Sequence, residues 1–359
     1  MNDNYLHGFN KGSNTTTVDT IFVNGALRSL REKNNFSIKA FVSWEGGNKG
    51  TKFYYVDDNN NLCLYNILTD KSSTIINSLQ YIPTSETSHG NLFFDLPNHY
   101  IVYGCVYEKG TGAFVKNLGS AFGIREDLLT GDLYCITSVK TTTSSPYKHL
   151  VTINKLNKNT LLTEDTYSFT ISVSSSTYGD VTTLITAWCM YNGRLVFSRS
   201  TSSGYSSLYK YSPSDNKVYT LLDDCFRNSS SYMKYYENGW FFTCYGNSDD
   251  NDLSYRKFRV DLDTTTETER DYIYWRIPIN AVCHNNFGCN SKICIGRRAL
   301  NILDMDKITV HQITLDGIEF SNKGNSVSKT TYTTYVYNND IYAVDVDTVS
   351  KYMHIYKIM

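Results

Sequence analysis

Tyr191-Asn192-Gly193-Arg194-Leu195-Val196-Phe197, leading through a polar loop to Leu208-Tyr209-Lys210-Tyr211, decides how this 359-residue chain folds, because the chain returns to the same pattern twice more. Tyr236-Glu237-Asn238-Gly239-Trp240-Phe241-Phe242 leads to Tyr255-Arg256-Lys257-Phe258, and Tyr337-Asn338-Asn339-Asp340-Ile341-Tyr342-Ala343 leads to His354-Ile355-Tyr356-Lys357. Each copy is an aromatic residue, a tight turn, a strand-like run, a polar loop and a second run. Asn-Gly and Asn-Asp tolerate the positive φ angles of two-residue hairpins, so each turn is expected to join antiparallel neighbours. A further strand follows in the first two copies, as in Lys217-Val218-Tyr219-Thr220-Leu221-Leu222 after Ser214-Asp215-Asn216. Thirty tyrosines, abundant Ser, Thr and Asn, and only five prolines favour strands over helices along the chain.

Working outward, comparable turn signals occur at Asn59-Asn60-Asn61, Pro97-Asn98, Thr130-Gly131 and Asn285 to Asn290, which makes seven in all. Their spacing averages ~40 to 50 residues, the period of propeller blades. Over residues 17–359 the repeat therefore resembles the β-propeller superfamily, and the resemblance implies an all-β, seven-bladed β-propeller. Six blades is the alternative count, because the signals between residues 30 and 130 sit too close together for four full strands each. The last unit runs out after its third strand, so the resemblance implies a ring closed by an N-terminal strand, with Thr17 to Val23 as the candidate. Ala26, Leu27 and Leu30 repeat at helical spacing, which predicts a two-turn helix over residues 26–33. Residues 1–16 are polar and aperiodic and read as a flexible N-terminal arm. No linker divides the remainder, so residues 17–359 read as a single domain. Named repeat families are not matched: no Trp-Asp dipeptide of the WD40 type occurs, and Gly46-Gly47 is the one Gly-Gly pair where kelch repeats need several.

With 34 Lys+Arg against 35 Asp+Glu the chain carries no electrostatic footprint for nucleic acid or an anionic membrane surface. No run approaches the ~18 apolar residues of a membrane helix, and Met1-Asn2-Asp3-Asn4-Tyr5 lacks the layout of a secretory signal. Cytoplasmic synthesis without a signal peptide and without membrane insertion is expected. Nine cysteines, an odd number lying mostly in apolar runs, read as free core thiols. The wealth of Tyr, Asn, Ser and Thr, with little Glu, resembles bacteriophage tail and baseplate proteins, and that resemblance implies a virion or particle component.

Chemistry has few footholds. Tyr274-Trp275-Arg276-Ile277-Pro278 resembles the Arg-Ile-Pro motif of sialidases, which implies a carboxylate-binding role for Arg276, but that family's Ser-x-Asp-x-Gly-x-x-Trp boxes are absent. Cys283, His284, Cys289 and Cys294 are ligand types suited to zinc, in a spacing that is not that of a zinc ribbon or knuckle. The pairs Asp57-Asp58, Asp223-Asp224 and Asp249-Asp250, with Asp345 and Asp347, suit calcium or acid/base work, yet they fall where turn residues are expected. Seven scattered histidines define no nucleophile and base pair, and His354, between Met353 and Ile355, reads as structural. No phosphate loop, dinucleotide fingerprint or nucleophile elbow is present. No catalytic residue, metal site or cofactor is therefore assigned. Tyrosines in excess of packing needs suit stacking on glycans or protein interfaces. The expected function is a non-enzymatic binding or structural module whose partners are other protein subunits of an assembly or a surface glycan. The alternatives are a propeller glycosidase or lyase and a kelch-like scaffold.

Overall fold

A computed structural model of the chain describes residues 18–22, 28–33, 35–44, 51–82, 93–119, 123–173, 184–185, 187–200, 205–227, 232–235, 240–246, 252–259, 271–278, 287–289, 292–296, 300–304, 309–314, 330–337, 340–347 and 351–357, with side-chain environments mostly between residues 33 and 221 and over 351–355. The N-terminal strands are β1 (Val18–Phe22) and β2 (Arg28–Lys33). The first four-stranded antiparallel sheet is β3 (Ala40–Trp44), β4 (Lys52–Val56), β5 (Leu62–Asn66) and β6 (Lys71–Ile76). The second is β7 (Phe93–Asp95), β8 (His99–Val102), β9 (Cys105–Glu108) and β10 (Phe114–Asn117). The third is β11 (Ile124–Glu126), β12 (Leu133–Lys140), β13 (Tyr147–Leu156) and β14 (Thr163–Val173). The fourth is β15 (Ala187–Tyr191), β16 (Arg194–Ser200), β17 (Tyr205–Ser212) and β18 (Lys217–Arg227). The fifth is β19 (Tyr232–Tyr235), β20 (Trp240–Gly246), β21 (Asp252–Arg259) and β22 (Asp271–Pro278). The sixth, β23 (Phe287–Cys289), β24 (Lys292–Gly296), β25 (Leu300–Asp304) and β26 (Thr309–Thr314), takes β1 as a fifth strand. The last, β27 (Thr330–Tyr337), β28 (Asp340–Asp347) and β29 (Tyr352–Lys357), is completed by β2.

The deciding repeat behaves as its chemistry requires. Asn192 and Gly193 have φ of 49 and 73°, both positive, and join β15 to β16 with Tyr191 opposite Arg194. A second turn recurs between third and fourth strands. There a buried residue is followed five positions later by one in the left-handed region: Tyr65 by Asp70 (φ 58°), Leu156 by Leu161 (φ 57°) and Tyr211 by Asn216 (φ 55°). Where the first residue is tyrosine, its hydroxyl donates to the second, to Asp70 Oδ1 at 2.8 Å and to Asn216 Oδ1 at 2.9 Å. The buried ring gains a polar partner and the turn gains an anchor.

Two N-terminal expectations are overturned. Residues 28–33 form strand β2, not a helix: β2 pairs antiparallel with β29, and the register shifts between Ser29 and Arg31. That extra residue at Leu30 is a β-bulge, and it produces the apolar spacing that imitates a helix. Two helical turns are too few to persist alone, while the open edge of β29 offers a ladder of hydrogen bonds. The strand assigned to residues 17–23 runs instead as β1, parallel to β26, with Val18 opposite Val310 and Phe22 opposite Thr314. The arm at residues 1–16 lies outside the described residues.

Each of the seven turn signals falls in a different sheet. Asn59-Asn60-Asn61 falls between the second and third strands of its sheet, five of the other signals fall between first and second strands, and Asn285 to Asn290 spans the first strand β23 itself. That offset, together with strands of only three or four residues in the second sheet, explains why the signals there are crowded.

Cores lie between neighbouring sheets. Val56, Leu62 and Ile76 pack with Val102 and Tyr107 between the first and second sheets; Phe94, Ile101 and Val106 pack with Ile124, Leu133 and Leu161 between the second and third. Ile153, Phe169 and Ile171 pack with Trp188, Phe197 and Tyr211 between the third and fourth. Met353 and Ile355 of β29 pack with Phe36, Phe53 and Tyr65, which joins the last sheet to the first. Lys33, at the end of β2, pairs with Asp70 and lies 5.2 Å from the Tyr65 ring centroid, and Lys351 reaches Asp58. Cys63, Cys105, Cys135 and Cys189 are buried thiols without a disulfide.

Candidate functional site

The sheets meet along their first strands, with β11 against β15, β15 against β19 and β23 against β27. At one end of each sheet lie the turns between first and second and between third and fourth strands. At the other end lie the turns between second and third strands and the connections between sheets.

At the first end, polar side chains are committed to backbone. Asp127, 2% exposed, accepts N–H groups from Leu129 and Thr130 (both 2.9 Å) in its own turn and from Asn192 (3.0 Å) and Gly193 (2.7 Å) of the fourth sheet. Asn157 accepts from Asn159 and Thr160, and Asn66 from Leu68 and Thr69. Asn98 Nδ2 donates to the Asn159 carbonyl at 3.2 Å, and Lys116 Nζ to that of Leu161 at 2.9 Å, which ties the second sheet to the third. Burial acts against ionisation of Asp132, but hydrogen bonds from Lys155 and Thr130 prevail and hold its carboxyl below the usual range.

The second end of the third sheet differs. The second sheet covers Leu133, Cys135 and Leu156, but its short strands stop there while β12, β13 and β14 run on. Beyond that cover Val139 and Leu150 stand opposite each other, 65% and 38% exposed. Exposed Thr137 and Thr170 flank them, Thr170 directly opposite Leu150. Exposed Lys148, on the face of Leu150, adds positive charge, whereas Lys140 lies on the opposite face with its Nζ 4.1 Å from the Tyr147 ring centroid. Val139 and Leu150 thus form an exposed apolar pair on a strand face that no described residue covers, the kind of patch that a docking partner can bury. Sequence reasoning missed it, because Val139 and Leu150 carry the same alternation as core residues.

The other candidates disperse. Arg276 lies on β22 opposite Ser254, on the fourth strand of its sheet and away from the edge where β19 meets β15. Cys289 and Cys294 occupy staggered register positions, opposite Lys292 and Phe287; Cys283 and His284 lie outside the described residues. No group of three metal-ligating side chains occurs among the described residues. Asp57 is a turn residue as expected and accepts from Asn59 and Asn61. Asp223 and Asp224 lie in strand β18, and Asp345 and Asp347 in β28, instead of in turns; Asp249 and Asp250 lie outside the described residues. His354 is buried, its Nδ1 at 3.0 Å from the Tyr352 hydroxyl. Burial pushes the Cys135 thiol up to about 11 and that of Cys189 higher still, so neither is a ready thiolate. Among the described tyrosines, Tyr54, Tyr55, Tyr65, Tyr103, Tyr107, Tyr134 and Tyr211 are buried, others such as Tyr100 and Tyr147 are half-buried, and Tyr81 is exposed.

Among solved structures, the chain is similar to an oligogalacturonate lyase from Vibrio parahaemolyticus, at 9% identity over 96% of each chain with a TM-score of 0.53. It is also similar to a β-propeller domain from Myceliophteria thermophila (9% identity, 93% of this chain and 100% of that one, TM-score 0.49) and to the WD40 repeats of RRP9 (9% identity, 95% and 99%, TM-score 0.47). The chain has a β-propeller fold built of four-stranded antiparallel blades. No protein-family model matches it. No curated protein matches it either.

Proposed function

We propose that the chain is a non-enzymatic binding or assembly module: residues 17–359 form one seven-bladed propeller, closed by β2 on β29, that docks a partner protein on the overhanging end of the third blade. The observation that carries the reading is the exposed Val139 and Leu150 pair, where a sheet face built like a core has no cover among the described residues. Lys148 beside it favours a partner segment that places a carboxylate next to apolar side chains. The compositional likeness to tail and baseplate proteins makes a subunit of such a particle the favoured partner. A surface glycan is a weaker candidate, since Tyr81 is the one exposed tyrosine among the residues whose side chains are described.

Coexpression with the proteins encoded by the neighbouring genes tests the proposal. The wild type is expected to copurify with one of them, and the double variant Val139→Asp, Leu150→Asp is expected to lose that partner at unchanged thermal stability. Equal copurification by both proteins overturns the docking surface. Release of unsaturated product from oligogalacturonates by the purified chain overturns the non-enzymatic half.

A further inference from the structure

We propose that the junction between the third and fourth sheets is an acid-sensitive joint, in which protonation of His149 loosens β13 and β14 from the fourth sheet. His149 is 0% exposed, and neither Nδ1 nor Nε2 has a hydrogen-bond partner among the described residues. The hydroxyl of Ser138 is likewise buried and without a partner. Ser138 pairs with Val151 and Lys140 with His149, so alternation puts all four on the face that packs toward the fourth sheet. A buried imidazole without partners is tolerable when neutral, because it behaves as a moderately polar aromatic ring. As imidazolium it carries a charge and two donors that need acceptors, and leaving these unmet is far more costly.

Among the described residues the surroundings supply no counter-charge. Across β12 the register partner is Lys140, whose ammonium lies over Tyr147; across β14 it is Ile171, with Phe169 and Val173 on the same face. From the fourth sheet Arg199 reaches the carbonyl of Ser172, beside Ile171. The carboxylate of Asp165 sits opposite Lys155, toward the other end of these strands, and Asp132 also pairs with Lys155. The described charges near His149 are therefore cationic. Burial, and after it the Lys140 charge, hold the imidazole below its usual 6.5.

The sign follows from linkage. A folded pKa below the unfolded one means that the unfolded or opened state binds protons more readily. The stabilisation is complete above about 6.5 and is lost as pH falls below it. The inference rests on this packing alone and is independent of any partner.

Amide hydrogen exchange, corrected for intrinsic rates, tests it between about pH 7.5 and pH 5. In the wild type, protection over residues 147–153 and 188–197 is expected to fall by up to about tenfold per pH unit below 6.5, while residues 53–56 and 62–65 of the first sheet hold theirs. His149→Leu removes the titrating group and should leave the third and fourth sheets equally protected at both pH values. An acid response shared by the variant, or absent from the wild type, overturns the joint. If His149→Leu does not fold, the imidazole titration followed by NMR in the wild type decides: an apparent pKa below 6.5 supports the joint, and one at or above 6.5 overturns it.

Discussion

The second and third sheets share turn chemistry and adjoin each other, yet they expose different things. β7 to β10 contain three or four residues each, and the sheet is covered on both faces, by Val102 and Tyr107 toward the first sheet and Phe94 and Ile101 toward the third. β12 to β14 contain eight to eleven residues, so part of one face has nothing opposite it among the described residues. Interior alternation continues past the end of the neighbour that would have made it interior. Strand length relative to the adjacent sheet, more than residue type, decides whether an apolar pair is core or surface in this fold.

Four substitutions break or sharpen that contrast. Phe94→Ala removes an aromatic ring from the short sheet's seat against the third and should cost about 3–5 kcal/mol, measured as a shift of the urea midpoint. Asp127→Ala leaves up to four backbone donors without their acceptor at the border of the third and fourth sheets. A loss of about 2–4 kcal/mol is expected, and equilibrium unfolding should show it with an unchanged denaturant slope. Tyr211→Phe deletes only the hydroxyl bonded to Asn216, so a loss of about 1 kcal/mol is expected; a much larger loss would mean that the turn itself had rearranged. Val139→Ser, on the uncovered face, should stay within about 0.5 kcal/mol of the wild type in thermal unfolding. A large destabilisation there would show that this end is core after all and would remove the docking surface.

The hairpins were legible in the sequence because their signal is local. Asn192-Gly193 needs positive φ at adjacent residues, and few residue pairs supply it as cheaply. The partner of each N-terminal strand was not legible, because that choice is made at long range. The bulge at Leu30 disguises β2 as a helix, and nothing in Val18 to Phe22 announces Thr309 to Thr314 as its neighbour. The candidate site was hidden for a related reason: Val139 and Leu150 read as interior, and only the shortness of a different sheet leaves them bare. His149 was one histidine among seven, and its isolation depends on what faces it across β12 and β14.

The pairing of β2 with β29 also has a consequence in time. Lys351 Nζ binds the carbonyl of Ile38, a contact 313 residues long in sequence, and Lys33 sits opposite Met353. On a ribosome, β2 emerges early and waits with an unsatisfied edge until β29 has followed it. Intermediate sheets can assemble as they appear, but the first sheet lacks β29 as its neighbour until that strand emerges. A nascent chain stalled before β29 would thus present a sticky strand to chaperones or to sister chains, which makes emergence of β29 the step that commits this protein to its native topology.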